Sequence, residues 1–146
     1  MRVVLPFDGS PSSMHAVDYV LGLAQRMESE PFEVDLVNVQ DAAVGISGLM
    51  GRDAADVGAR LAARCKEIGD QVLAAPQERL RAAGVVARGV VLVGEPASSI
   101  AAHVERHGAD AVIMGTRGLG TVGGLVLGSV ATKVIHLVKP PVTLVK

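Results

Sequence analysis

The sequence has no tryptophan, one tyrosine and two phenylalanines, so aromatic residues make up only 2% of it. A core of large rings is excluded. It must be built from Val, Leu, Ile and Ala, the composition expected of a sheet with helices on both faces. One cysteine, Cys65, excludes an internal disulfide and fits a reducing compartment. No apolar run reaches the length needed to cross a bilayer. The opening residues show no charged segment leading into an apolar one, and position 8 is already Asp. These absences predict a cytoplasmic protein with no membrane partner. The formal net charge of −1 supplies no global field toward nucleic acid. Acidic residues are missing altogether beyond position 110, where the only charges are Arg117, Lys133, Lys139 and Lys146. An anion bound by that segment meets no carboxylate from it.

What is present is 49% apolar residues in a chain of 146, enough for a single domain over residues 1–146. Residues 2–7 form a short apolar run without alternation, as in a strand buried on both faces. Asp8-Gly9-Ser10-Pro11 follows, with Ser10 a good N-cap and Pro11 suited to the first helical position. Helical spacing of Ala16, Val20, Leu23, Ala24 and Met27 predicts a helix over about 11–28. Residues 33–39 read as a second strand, and 40–52 as a glycine-rich, mobile surface loop. A long helical pattern spans 53–83, with Leu61, Cys65, Ile68 and Val72 as its apolar stripe. Pro76 is expected to kink or interrupt it, and Gly84 to end it. Strands at 85–93 and 109–114 flank a helix from Pro96 to His107, which Gly108 closes. Ile100, Ala101 and Val104 are expected to face inward from it. A helix from Gly128 to about Leu137 and a strand over 141–145 complete the chain. Regular alternation of this kind gives an α/β fold, a mainly parallel five-stranded sheet with helices on both faces. Such sheets bind ligands beyond the carboxyl ends of their strands, at the switch in strand order.

Two glycine clusters fall on such ends. Gly115-x2-Gly118 follows an apolar strand, and nine residues later Gly128-Ser129 opens a helix. Glycine lets backbone approach a ligand, and a helix N-terminus offers unpaired N–H groups and positive dipole charge. The pair reads as a phosphate clamp, with Arg117 adding a phosphate-compatible side chain, and the Ser129 hydroxyl with the N–H groups of Ser129 and Val130 facing the ligand. Gly118-x-Gly120-x2-Gly123 has the form of a dinucleotide fingerprint. No acidic residue follows it to hold a ribose, so that reading is rejected, and no P-loop pattern occurs. Asp8, ending the first strand, suits a ribose hydroxyl or a phosphate-bound magnesium ion, or simply shapes the turn before Gly9. His103 and His107 are spaced to share a metal, but no third ligand is evident, and His107 suits a helix C-terminus. His15 and His136 read as helix-surface or half-buried residues, and Cys65 as core. The short apolar strand at 141–145 has the character of a sheet edge, which invites a two-fold homodimer.

Taken together, these residues resemble the universal stress protein family over essentially the whole chain. The resemblance rests on Pro6-x-Asp8-Gly9-Ser10, Gly94-Glu95-Pro96, the run from Asp110 to Gly118, Gly128-Ser-Val-Ala131 and the closing Pro-Val-Thr-Leu-Val strand. The Gly-x2-Gly-x9-Gly-Ser spacing is that of the family's ATP-binding branch. The resemblance implies a Rossmann-like fold, homodimerisation through the last strand, and ATP at the strand ends with Mg or Mn on its phosphates. Carried over by motif, Asp8 contacts ribose or the metal and Pro6 lines the pocket. Val39 meets adenine through its backbone, Met114 and Gly115 flank the nucleotide, and Gly118, Gly128, Ser129 and Val130 hold phosphates. The spacer 119–127 departs from many members in carrying no basic residue. The function implied is a nucleotide-dependent sensor or switch in the stress response, acting on a downstream protein. Its alternatives are slow ATP hydrolysis or nucleotidyl transfer, for which no base to orient water is identifiable, and a nucleotide-free dimeric module.

Overall fold

The structure, a computed structural model, describes residues 1–26, 32–41, 54–116 and 127–146. Five strands alternate with four helices: β1 (Arg2–Pro6), α1 (Pro11–Ala24), β2 (Glu33–Gln40), α2 (Ala54–Ala82), β3 (Val86–Val93), α3 (Pro96–His107), β4 (Ala111–Gly115), α4 (Ser129–Leu137) and β5 (Val142–Val145). All strand pairs are parallel, in the order β3-β2-β1-β4-β5. Connections step outward from β1 through β2 to β3, then cross back to β4, so the order reverses between β1 and β4. The predicted fold class is borne out. The loop read at 40–52 lies outside the described residues from 42 onward.

Both faces of the sheet are covered. α1 and α2 pack Val17, Val20, Leu73 and Leu80 onto Val3, Leu5, Val34, Leu36 and Ile113. On the opposite face, α3 and α4 pack Ile100, Val104, Ala131 and Val134 onto Val4, Val37, Val112 and Met114. Val3, Val4 and Leu5 are fully buried, which explains why β1 shows no polar alternation. The helix signals worked as local chemistry predicts. The Ser10 side chain accepts the Ser13 N–H at 3.2 Å, and Gly108 takes the left-handed conformation at φ 58° after α3.

Two expectations for α2 are corrected. The helix runs through Pro76 without interruption. Pro76 is buried, and the apolar contacts of Leu73 and Leu80 on either side hold the helix to the sheet despite the lost backbone bond. The buried stripe is also rotated from the one expected. Cys65, Gly69, Leu73, Pro76 and Leu80 face inward, while Ile68 is exposed and Leu61 and Val72 are half-buried. Gly69 sets that rotation: a Cβ there would lie 2.5 Å from Val91 Cγ1, so only glycine lets α2 sit this close to β3. On α3, Ile100 and Val104 face inward as expected, but Ala101 is only half-buried, and His103 is buried in its place.

Gly115 makes a similar close approach. A Cβ on it would lie 2.6 Å from the Ser12 carbonyl carbon and 2.7 Å from its oxygen, in the first turn of α1. The missing side chain therefore serves helix-to-strand packing as its first role.

β2 also buries a carboxylate. Asp35, on the face of α3, accepts a forked pair of bonds from Arg88 of β3, Nε to Oδ1 at 3.1 Å and Nη2 to Oδ2 at 2.9 Å. His103 Nε2 lies 2.9 Å from the same Oδ2. Burial pushes the Asp35 pKa upward, but the hydrogen bonds and charges of Arg88 and His103 outweigh it and hold the carboxyl below its ordinary value.

Gly115→Ala is expected to destabilise the fold by about 1–3 kcal/mol, because two backbones must separate; chemical denaturation measures it. Asp35→Ala, which leaves His103 buried without its partner, is expected to cost about 2–4 kcal/mol. Because the native pKa of Asp35 lies below its unfolded value, its contribution is complete above about pH 4 and fades as pH falls through the native value. The stability difference between wild type and Asp35→Ala should therefore shrink on acidification below pH 4.

Candidate functional site

Parallel strands bring their carboxyl ends to one edge, and the reversal of order leaves a crevice there. β1 and β4 pair at Val3↔Ala111 and Val4↔Val112 and no further, so the last residues of both strands are free of each other at the switch point. Pro6 ends β1 and is buried; Met114 and Gly115 end β4 and are buried as well. Val39, next to the last residue of β2, is half-buried toward the α3 face. The structure thus brings Pro6, Asp8, Val39, Met114 and Gly115 to the carboxyl edge that the sequence assigned to them.

Asp8 is exposed. Its Oδ1 accepts the Ser10 N–H at 2.9 Å, closing a turn in which Gly9 takes φ 83°. The turn-shaping role is therefore real, and it uses one carboxylate oxygen. Among the described residues Oδ2 takes no hydrogen bond.

The second cluster opens α4. Gly128 is its N-cap, buried, with an ordinary φ of −61°. Gly128 N–H donates to the Thr116 carbonyl at 2.8 Å, and Thr116 N–H to the Val145 carbonyl at 2.9 Å. Thr116 and Gly128 are thereby tied to the sheet edge. The N-terminus of α4 has no side-chain cap and no acidic residue in its first turn. The backbone N–H groups of Ser129 and Val130 belong to the unpaired set every helix start carries. Ser129 is exposed and Val130 half-buried. This arrangement suits an anion. Arg117 and Gly118 lie outside the described residues.

The neighbouring helix start is closed by contrast. Glu95 caps α3, accepting from Ser98 N–H and Ser98 Oγ, both at 2.8 Å, and its other oxygen meets Lys133 Nζ at 3.1 Å. Those bonds, with the Ser98 N–H foremost, hold the Glu95 pKa down to about 2. Lys133 of α4 is thus drawn toward Glu95.

The histidine pair is not a metal site. His103 is committed to Asp35, and His107 lies against it with ring centroids 4.2 Å apart. Burial, followed by the charges of His103 and Arg88, lowers the His107 pKa. Among the described residues no group of three or more His, Cys, Asp or Glu could hold a metal ion. A divalent cation at the strand ends would draw most of its ligands from phosphate and water, with Asp8 Oδ2 as a protein contribution. His15 and His136 are exposed on their helices, and Cys65 is buried, as expected.

Two polar residues of β2 went unremarked in the sequence: Asp35 and Asn38, each between apolar neighbours in a doubly buried strand. That interruption is the signal that could have found them. Asn38 Nδ2 donates to the Phe7 carbonyl at 2.8 Å, and its Oδ1 accepts from Gln40 Nε2 at 2.6 Å.

Comparison with known proteins agrees with this architecture. A model of the universal stress protein family matches residues 1–146. The chain is 30% identical to universal stress protein MJ0531 of Methanocaldococcus jannaschii over 145 residues, covering 99% of this chain and 81% of that protein. Among solved structures it is similar to hypothetical protein MJ0577, with a TM-score of 0.85 at 25% identity, covering 99% of this chain and 94% of the other. It is also similar to a universal stress protein in complex with cAMP, with a TM-score of 0.61 at 25% identity, covering 100% of this chain and 96% of the other. The match runs through every strand and helix that builds the switch-point edge, and the chain belongs to the universal stress protein family.

Proposed function

We propose that this protein binds an adenine nucleotide, ATP with Mg or Mn on its phosphates, at the carboxyl edge of the sheet, and that binding acts as a switch in a cytoplasmic stress response. The observation that carries this reading is the uncapped, acid-free N-terminus of α4, set at the same strand edge as an exposed Asp8 with an uncommitted oxygen. The α4 N–H groups and dipole would hold phosphate, with Gly128, Ser129 and Val130 as the contact residues. Asp8 would take ribose or the phosphate-bound cation, Pro6 and Met114 would wall the crevice, and the Val39 backbone would meet adenine. Arg117 and Gly118 are assigned to phosphate on the motif alone. The structural neighbour in complex with cAMP supports an adenine nucleotide as the ligand class. Nucleotide would order the surface around the edge and so change what a downstream protein meets.

A homodimer through β5 is part of the proposal. β5 is an edge strand, and its residues are all half-exposed. The carbonyls of Pro141 and Val145 accept from Val112 and Thr116, so alternate residues 141, 143 and 145 face β4. Val142 and Leu144 therefore turn their backbone groups to the open edge, where a second β5 would add.

Isothermal titration with millimolar ATP and magnesium should give saturable binding, weakened about tenfold or more in Asp8→Ala; no heat of binding in the wild type would overturn the nucleotide reading. Light scattering should give twice the 15.0 kDa chain mass. Leu144→Pro, which removes an outward N–H and spares the ladder to β4, should give a folded monomer. A wild-type monomer at high concentration would exclude the dimer.

A further inference from the structure

The geometry points to Asn38 as a positioning residue that sets Asp8 for the nucleotide; this rests on the reading of the strand edge as the nucleotide site. Leu36, Asn38 and Gln40 share one face of β2. Leu36 is core, yet two residues on, Asn38 is 4% exposed and polar. A buried amide needs partners, and this one has them on both ends. Its Nδ2 donates to the Phe7 carbonyl, and its Oδ1 accepts from Gln40 Nε2. Gln40 in turn accepts the Gly94 N–H on its backbone carbonyl at 3.0 Å. The result is a polar strut across the ends of β1, β2 and β3.

Phe7 is where the strut acts. Its N–H donates to the Val37 carbonyl at 2.8 Å, and its carbonyl takes the Asn38 amide. The Phe7 carbonyl and the Asp8 N–H belong to one planar peptide unit, so fixing the first fixes the second. The chain then turns at Gly9, and the Asp8 carboxylate is held by Ser10 N–H. Without Asn38, β1 would still pair with β2 through Pro6↔Val37. The Phe7–Asp8 peptide would lose its only described side-chain bond and could rotate, swinging Oδ2 away from the ligand. A leucine would satisfy the core at position 38 equally well; the amide is what the turn requires.

Asn38→Asp keeps the acceptor for Gln40 and, in its ionised form, cannot donate to the Phe7 carbonyl, and Asn38→Leu removes both bonds. Each is titrated with magnesium ATP in the wild-type background and again with Asp8→Ala, while amide exchange is followed at Ser10 and at Val4 and Leu36. Both variants should weaken ATP binding about tenfold in the wild-type background and less than about twofold once Asp8 is gone, the signature of action through Asp8. Exchange at Ser10 should accelerate about tenfold with Val4 and Leu36 unchanged. Gln40→Met, which spares the bond to Phe7, should have the smaller effect on both. Equal losses in the two backgrounds, or unchanged exchange at Ser10, would overturn the role of Asn38. Absence of ATP binding in the wild type itself would remove the nucleotide site, and with it the role of Asn38 toward a ligand; Ser10 exchange would then decide on the strut alone.

Discussion

Val3, Val4 and Leu5 have no solvent exposure, and that condition organises the whole molecule. A central strand buried on both faces needs helices above and below it, and parallel neighbours on each side. The chain meets the requirement by running outward from β1 in one direction and then crossing back to β4 on its other side. That reversal leaves a crevice at the carboxyl ends of β1 and β4. The position of the candidate site follows from the same constraint, because Asp8 follows β1 and the start of α4 is tied to Thr116, just past β4.

The packing leaves little slack at that point. Gly115 sits against the backbone of Ser12, and Gly69 against Val91. α1 is therefore seated by backbone proximity, and α2 by a glycine set against the Val91 side chain, as well as by apolar packing. Thr116 and Gly128 are tied to the sheet edge by backbone bonds. The start of α4 is tied to Thr116, next to the Gly115 that packs against α1, so the two helices meet at one strand end.

β2 carries two buried polar groups of different character. Asp35 joins β3 and α3 through Arg88 and His103, away from the strand ends. Asn38 lies beside the turn that presents Asp8. Burying either is costly unless its bonds are made, and both are fully bonded. The first ties three elements into one arrangement. The second ties the end of β2 to the peptide before the exposed Asp8.

Much of this was legible in the sequence because it is local chemistry. Ser10-Pro11 starts a helix, Gly108 ends one, an unbroken apolar run is a doubly buried strand, and an acid-free segment with glycines at a strand end and a helix start suits an anion. The less legible features depend on neighbours far apart in the chain. Pro76 reads as a kink or an interruption, yet α2 continues through it, packed against the sheet. Ile68 reads as core, yet Gly69 turns the helix so that Ile68 faces water. The histidine spacing shows no third metal ligand in the sequence, but only the fold reveals that His103 is partnered by Asp35. The sequence by itself determined the order of elements, the fold class and the residues at the carboxyl edge, because capping, periodicity and strand burial act over a few residues. Only the tertiary structure decided that Gly115 serves α1 and that Asn38 bonds the Phe7 carbonyl beside Asp8, because each depends on a contact that exists only once distant segments are side by side.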